Sequence, residues 1–252
     1  MNREATDLAG VRYLRFATLG STNAEALTRA RAGERGPLWI VTAEQTAGRG
    51  RRGAAWVSKP GNLYATLLLT EPSPKAAAPQ LSFVTALALH DAVADLAPQF
   101  GPGLKLKWPN ALLLGGAKLA GILIEGESDP AFAVAVGIGV NCAHHPEETA
   151  YPATDLANAG ALVSPQALLG ALADAMARRL KQWSQGQGFA AIRADWLKRA
   201  AGLGQDIHVR LPEREFSGRF EGLDEAGRLL VSEGDKVTAV GAGEVFGMGE
   251  TR

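Results

Sequence analysis

Three short stretches carry residues that could do chemistry. The first is Gly48-Arg49-Gly50-Arg51-Arg52-Gly53. Between Thr46 and Thr70 the chain places four cations, Arg49, Arg51, Arg52 and Lys59, and no acid. Glycines let backbone amides approach an anion closely. Guanidinium forks match carboxylates and phosphates two hydrogen bonds at a time. The stretch reads as an anion-binding loop, and a solvated turn or an RNA patch is the alternative its composition leaves open. It lacks the GxxxxGK[ST] order of a P-loop, and no long helix follows as in a dinucleotide fingerprint.

The second stretch is Lys107-Trp108-Pro109-Asn110, followed by Lys118-Leu119-Ala120-Gly121-Ile122-Leu123-Ile124-Glu125. A lysine in so apolar a run is costly unless it meets negative charge. Lys118 therefore either faces a phosphate or carboxylate, or snorkels from an edge strand. The third stretch is Val136-Gly137-Ile138-Gly139-Val140-Asn141. Glycines inside a strand admit a ligand or another backbone, and Asn141 at its end either holds a base, a ribose or a metal-bound water, or simply forms the turn after a strand packed under a helix. Cys142 has no histidine placed to activate it and reads as a small buried residue. His144-His145 complete no metal-ligand spacing.

The elements that must position these residues follow from pattern. Residues 11–19 read as a strand, and Thr22 with Glu25 reads as a capping box before a helix. PLWIVTAEQ and NLYATLLLT are strands on either side of the arginine loop. Residues 79–97 form a helix that packs on a sheet. LKLKWPN is a strand, and ALLLGGAKLAGILIEGE is a hairpin about Gly115-Gly116. AFAVAVGIGVN is a buried strand, PEETAYPATDLANAG a polar loop, and residues 164–185 and 187–201 are helices. The interleaving lacks a βαβ rhythm, so the fold class is α+β with a mixed sheet. After Gly202 come four short strand-like runs, GQDIHVRL, REFSGRFEGLD, GRLLVSEG and KVTAVGAGEVF, which suggest a small SH3-like β-barrel. The expected domains are 1–202 and 203–252.

Composition narrows the function classes. The chain has 252 residues, 26 Lys+Arg against 26 Asp+Glu, one cysteine and 30 glycines. A balanced charge argues against a general nucleic-acid coat. Residues 205–250 hold ten acids and five Lys or Arg, which disfavours nucleic-acid binding there. One cysteine fits a reducing compartment, and no apolar leader is visible. The expectation is a cytoplasmic protein with no membrane partner.

Taken together, the stretches resemble the biotin protein ligase family. The likeness rests on Ser21-Thr22-Asn23, the run from Gln45 to Gly53 with Trp56, Lys107-Trp108-Pro109-Asn110, Lys118-Leu119-Ala120-Gly121 and Gly137-Ile138-Gly139-Val140-Asn141. The resemblance implies a class II aminoacyl-tRNA synthetase-like catalytic domain ahead of the small barrel. It implies that biotin and Mg-ATP form biotinyl-5'-AMP, and that biotin then passes to a lysine of a biotin carboxyl carrier protein or domain of acetyl-CoA carboxylase. By this resemblance Arg51 and Lys118 are catalytic and contact the carboxylate and phosphate. Arg49, Gly48 and Gly50 close over the adenylate. Ser21, Thr22, Asn23 and Gln45 hold the biotin head group. Gly121, Leu123 and Gly137 line the biotin slot, and Trp56 packs against the closed loop. Asn110 and Asn141 lie on the nucleotide side. No protein metal ligands are implied beyond the Mg²⁺ that ATP carries.

The sequence departs from the family where Ala111 stands in place of the usual aspartate of WPND. A weakened or non-catalytic biotin-binding relative is therefore one alternative, and a lipoate-type ligase is another. Only about twenty residues precede Ser21, so no DNA binding is expected. A monomer or a homodimer fits equally.

Overall fold

The computed structural model describes residues 3–147, 149 and 151–247. Strand β1 (Arg3–Leu8) turns back antiparallel onto β2 (Val11–Leu19). The polar N-terminal run carries no strand pattern, and its extended form comes from this pairing. Helix α1 spans Thr22–Arg31 and is capped by Ser21, whose side chain accepts from the Ala24 amide. The cap is thus Ser21 rather than Thr22. Glu25 pairs with Arg29 one turn on instead of reaching back.

Strands β3 (Leu38–Gln45) and β4 (Leu63–Thr70) flank the arginine loop. Helix α2 (Leu81–Leu96) is apolar nearly all round, as a helix buried on several sides must be. Strands β5 (Leu104–Lys107), β6 (Ala111–Leu114), β7 (Ala117–Glu127) and β8 (Ala133–Val140) follow. Helices α3 (Pro165–Trp183) and α4 (Phe189–Leu197) come next. The C-terminal strands are β9 (Asp206–Arg210), β10 (Glu215–Leu223), β11 (Leu229–Glu233), β12 (Lys236–Val240) and β13 (Glu244–Gly247).

The first eight strands form one sheet in the order β1-β2-β3-β4-β8-β7-β6-β5. Only β2 and β3 run parallel, because α1 crosses over between them. Residue alternation then gives the sheet two faces. One face carries Leu63, Ala65, Leu67, Ile122, Val136, Ile138 and Val140 into the main core with α2 and α3. The other carries Leu14, Leu38, Ile40, Leu68 and Ala135 against Ala26 of α1. Where α1 ends its cover, this second face is open, and there lie Gly121, Gly137 and Gly139.

The last five strands form a separate antiparallel sheet, ordered β12-β11-β10-β9-β13. The run KVTAVGAGEVF is two strands, not one: β12 and β13 lie at opposite ends of the sheet. This sheet is not set apart from the rest. Its Ile207, Val209, Phe220 and Val231 belong to the same buried cluster as α2 and α4. The Trp108 indole donates to the Gly227 carbonyl at 3.1 Å across the boundary.

Candidate active site

A cavity of about 310 Å³ opens on the uncovered face of the large sheet. Its walls come from the start of α1, the arginine loop, β5 to β8, and the turn into β13. Four cations line it, Arg49, Arg51, Lys107 and Lys118. Glu244 is the single acid among its described lining residues.

Lys118 reaches this cavity through an irregularity in β7. Leu112 pairs with Ala120, but Leu113 pairs with Lys118, so one extra residue, Leu119, sits in β7. Such a bulge shifts side-chain parity. Lys118 therefore lines the cavity together with Gly121 and Leu123, although strict alternation puts it on the opposite face. The segment after β8 clamps it there. The Lys118 amide donates to the Pro152 carbonyl at 2.7 Å, and its carbonyl accepts from Thr154 at 3.0 Å. That segment reads as a polar loop in sequence, yet Thr154, Asp155 and Leu156 are buried. Burial, with Lys107 and Arg51 nearby, holds the Lys118 ammonium below the usual lysine range. An anion bound beside it would reverse that direction.

The arginine loop is braced by its own backbone. Gly50 donates to the Ala54 carbonyl at 2.7 Å and Trp56 to that of Gly48 at 2.9 Å. A single helical turn at Arg51–Gly53 closes the tip. Arg51 is half-buried, and its Nη1 donates to the Gly243 carbonyl at 3.2 Å. Burial and neighbouring Arg52 lower its pKa, while Glu244 raises it. Arg49 donates to the Glu125 carboxylate at 3.1 Å.

At the other end the groups are hydroxyls and amides. The Gln45 side-chain oxygen accepts from the Thr22 amide at 2.9 Å and from its hydroxyl at 3.2 Å. Its nitrogen donates to Ser58 at 3.1 Å. Asn23 donates to Glu125 at 2.8 Å and to the Leu123 carbonyl at 3.2 Å. The Thr66 hydroxyl lies 2.7 Å from the Asn23 side-chain oxygen and 2.8 Å from the Thr22 hydroxyl. Ser21, Thr22, Asn23 and Gln45 thus line the cavity as one braced group.

Ser21, Thr22, Asn23, Gln45, Arg49, Gly50, Arg51, Trp56, Asn110, Lys118, Gly121, Leu123 and Gly137 all come together here. Asn110 is tied to β7, its side chain donating to the Ile122 carbonyl at 2.6 Å. Gly48 and Asn141 are not among the lining residues. Gly48 packs under the loop, where a side chain would meet the Trp56 carbonyl at 2.5 Å. Asn141 is buried and donates to the Thr154 carbonyl at 3.0 Å, so it braces the clamp on Lys118. Ala111 lines the cavity directly across the ladder from Gly121.

Sequence reasoning gave no role to Glu125, Thr66, Tyr151 or the Gly243–Val245 wall. Glu125 closes the hairpin motif, and its reach back to Asn23 is the one signal a two-residue alternation along β7 could have shown. Cys142 lies outside the cavity's lining, and burial pushes its thiol up to about 12. His145 pairs with buried Asp155 at 2.6 Å. Among the described residues no group of three or more His, Cys, Asp or Glu could hold a metal, and no helix is long and apolar enough to cross a membrane.

Cations facing hydroxyls and amides across one cavity define a site for a small molecule that is polar at one end and anionic at the other. Residues 18–141 match the Biotin/lipoate A/B protein ligase family, and residues 202–247 match the Biotin protein ligase C terminal domain. The biotin–[acetyl-CoA-carboxylase] ligase of Paracoccus denitrificans is 45% identical over 92% of this chain and 98% of its own length. The enzyme of the same name from Mycobacterium tuberculosis is 33% identical over 91% of this chain and 86% of its own. The chain therefore belongs to the biotin protein ligase family. The structure of the Aquifex aeolicus biotin protein ligase in complex with biotin and ATP is similar as well. Its TM-score is 0.78 at 25% identity, covering 92% of this chain and 97% of that one.

Proposed function

We infer that this protein is an ATP-dependent biotin–protein ligase and that the cavity is its adenylation site. Four cations against one carboxylate in a single cavity is the observation that carries the reading. Both half-reactions gather negative charge at one place. In the first, an oxygen of the biotin carboxylate attacks the α-phosphorus of ATP and pyrophosphate leaves with the bridging oxygen. In the second, a neutral lysine amine of the carrier domain attacks the mixed anhydride, loses a proton, forms the amide and releases AMP. Fixed cations stabilise charge that develops in each transition state without having to reorganise.

Roles follow from position. Ser21, Thr22, Asn23 and Gln45 take the polar head of biotin, with Gly121, Leu123 and Gly137 beside its chain. Arg51 and Lys118 face the carboxylate and phosphate, and Arg49 with Gly50 covers them. Asn110 lies on the nucleotide side. Gly48 and Asn141 act at one remove, by shaping the loop and bracing Lys118. One carboxylate among four cations is a poor donor set for a resident divalent ion, so Mg²⁺ arrives with the nucleotide. The catalytic part corresponds to residues 1–202 and the small sheet, read as an SH3-like barrel, to 203–252. The acceptor is a biotin carboxyl carrier protein or domain, and the working compartment is the cytoplasm.

Biotin-dependent ATP–pyrophosphate exchange tests the first half-reaction, and mass analysis of a carrier domain tests the second. Lys118→Ala should lower exchange by about 100-fold or more, the scale seen when one charge-stabilising donor is removed. Undiminished exchange in that variant would remove Lys118 from the mechanism. No exchange in the unaltered protein, with biotin still bound, would favour a non-catalytic biotin-binding role.

A further inference from the structure

The floor of the cavity contains a glycine pair whose shape matches one of the protein's own side chains. Gly121 on β7 and Gly139 on β8 are direct partners across the antiparallel ladder. A Cβ on Gly139 would lie 2.5 Å from Cε2 and 2.6 Å from Nε1 of Trp56. A Cβ on Gly121 would lie 2.9 Å from Cζ3 of the same ring and 3.6 Å from Cε of Lys118. Neither glycine has a left-handed backbone, so conformation does not demand glycine here. Space does. Gly137, next along the same face, is likewise filled by the protein itself, since its Cβ would meet the Asn23 oxygen at 2.4 Å.

The indole seated on this pair touches the chemistry. The Lys118 ammonium lies 5.3 Å from the Trp56 ring centroid, within range of a cation–π attraction. The indole N–H is buried and has no acceptor among the described residues. An unpaired buried donor works against this placement, so the ring is held by fit rather than by a hydrogen bond. The fit is what the two glycines provide.

We propose that Gly139, with Gly121, is a positioning residue that seats Trp56, and that the seated indole fixes the Lys118 ammonium for adenylate formation. The proposal rests on the cavity being the adenylation site. Gly139 lines the cavity, and the contact that carries this role is the one with Trp56. The indole links the arginine loop to Lys118, two parts of the site that are far apart in sequence.

The test is a set of exchange measurements on single and double variants, each with its thermal midpoint. Gly139→Ala should lower kcat of exchange by about tenfold or more with KM for ATP changed less than threefold. Trp56→Phe removes the part of the ring that a Cβ at Gly139 would strike. Placed in the Gly139→Ala background, it should therefore recover activity rather than lose more. Losses that multiply, with each variant folded, overturn the proposal. If Gly139→Ala does not fold, Trp56→Leu and Lys118→Ala give a second cycle. The double variant should then be no worse than Lys118→Ala alone, and a further full loss from Trp56→Leu overturns the proposal. Exchange by the unaltered protein reports separately on the adenylation reading, so the two can fail independently.

Discussion

Lys118 is the residue whose surroundings make the sharpest demand. Burial first, and then Lys107 and Arg51, lower its pKa. Folding must therefore suppress some of its proton affinity, and stability should rise as pH climbs from its folded pKa toward its unfolded one. A bound acyl-phosphate pulls the other way. Binding of biotinyl-adenylate should thus take up protons in alkaline solution, in the window between the free and bound pKa values. Calorimetry in two buffers of different ionisation enthalpy measures this, and net proton release would contradict it. Ala111 makes the second demand. It lies across the ladder from Gly121 in a cavity rich in cations, so Ala111→Asp should raise the adenylation rate if a carboxylate is useful there. An unchanged rate shows that the chain has no need of it. Residue types announced most of this chemistry. An acid-free arginine loop and a lysine in an apolar hairpin are costly choices without a partner. Pairings such as Asn23 with Glu125, or Gln45 with Thr22, join residues remote in sequence and leave no local pattern.

At the scale of elements, the bulge in β7 decides which way Lys118 points. Alternation from Gly121 and Leu123 puts residue 119, not 118, on the cavity face, and the extra residue corrects this. Deleting Leu119 should straighten the ladder and, by placing Lys118 two positions before Gly121, keep it on the cavity face. Exchange should therefore survive the deletion far better than it survives Lys118→Ala, with a loss of stability from the missing buried leucine. A folded deletion variant as inactive as Lys118→Ala would show that the bulge does more than set the face of Lys118. The hairpin itself was legible from Gly115-Gly116 and its flanking apolar runs. The bulge was not, because a ladder's register depends on the partner strand. The same holds for β1, whose polar sequence becomes a strand only by pairing with β2, and for the break that turns KVTAVGAGEVF into two strands.

On the scale of the whole molecule, the two sheets share one buried cluster. Trp108 sits at their boundary, nearly fully buried, with its indole N–H on the Gly227 carbonyl. Trp108→Phe leaves that carbonyl unpaired and should cost about 1–3 kcal/mol. Both sheets should still melt together in one transition, followed by circular dichroism and tryptophan fluorescence. Two separated transitions would show that the boundary does not couple them. The change of character near Gly202 precedes the strands of the second sheet. Its contribution to the cavity was hidden, since nothing local in Gly243-Glu244-Val245 refers to Arg51.

That contact carries a consequence in time. Arg51 and Gly243 are 192 positions apart, and chains are made from the N-terminus onward at a pace slower than most local folding. A nascent chain can pair β2 to β8 and bury α2 while the cavity still lacks one wall. The reactive anhydride would lack that side of its cavity until residues 243–245 clear the ribosome. The wall that Arg51 leans on is thus made long after the arginine loop itself.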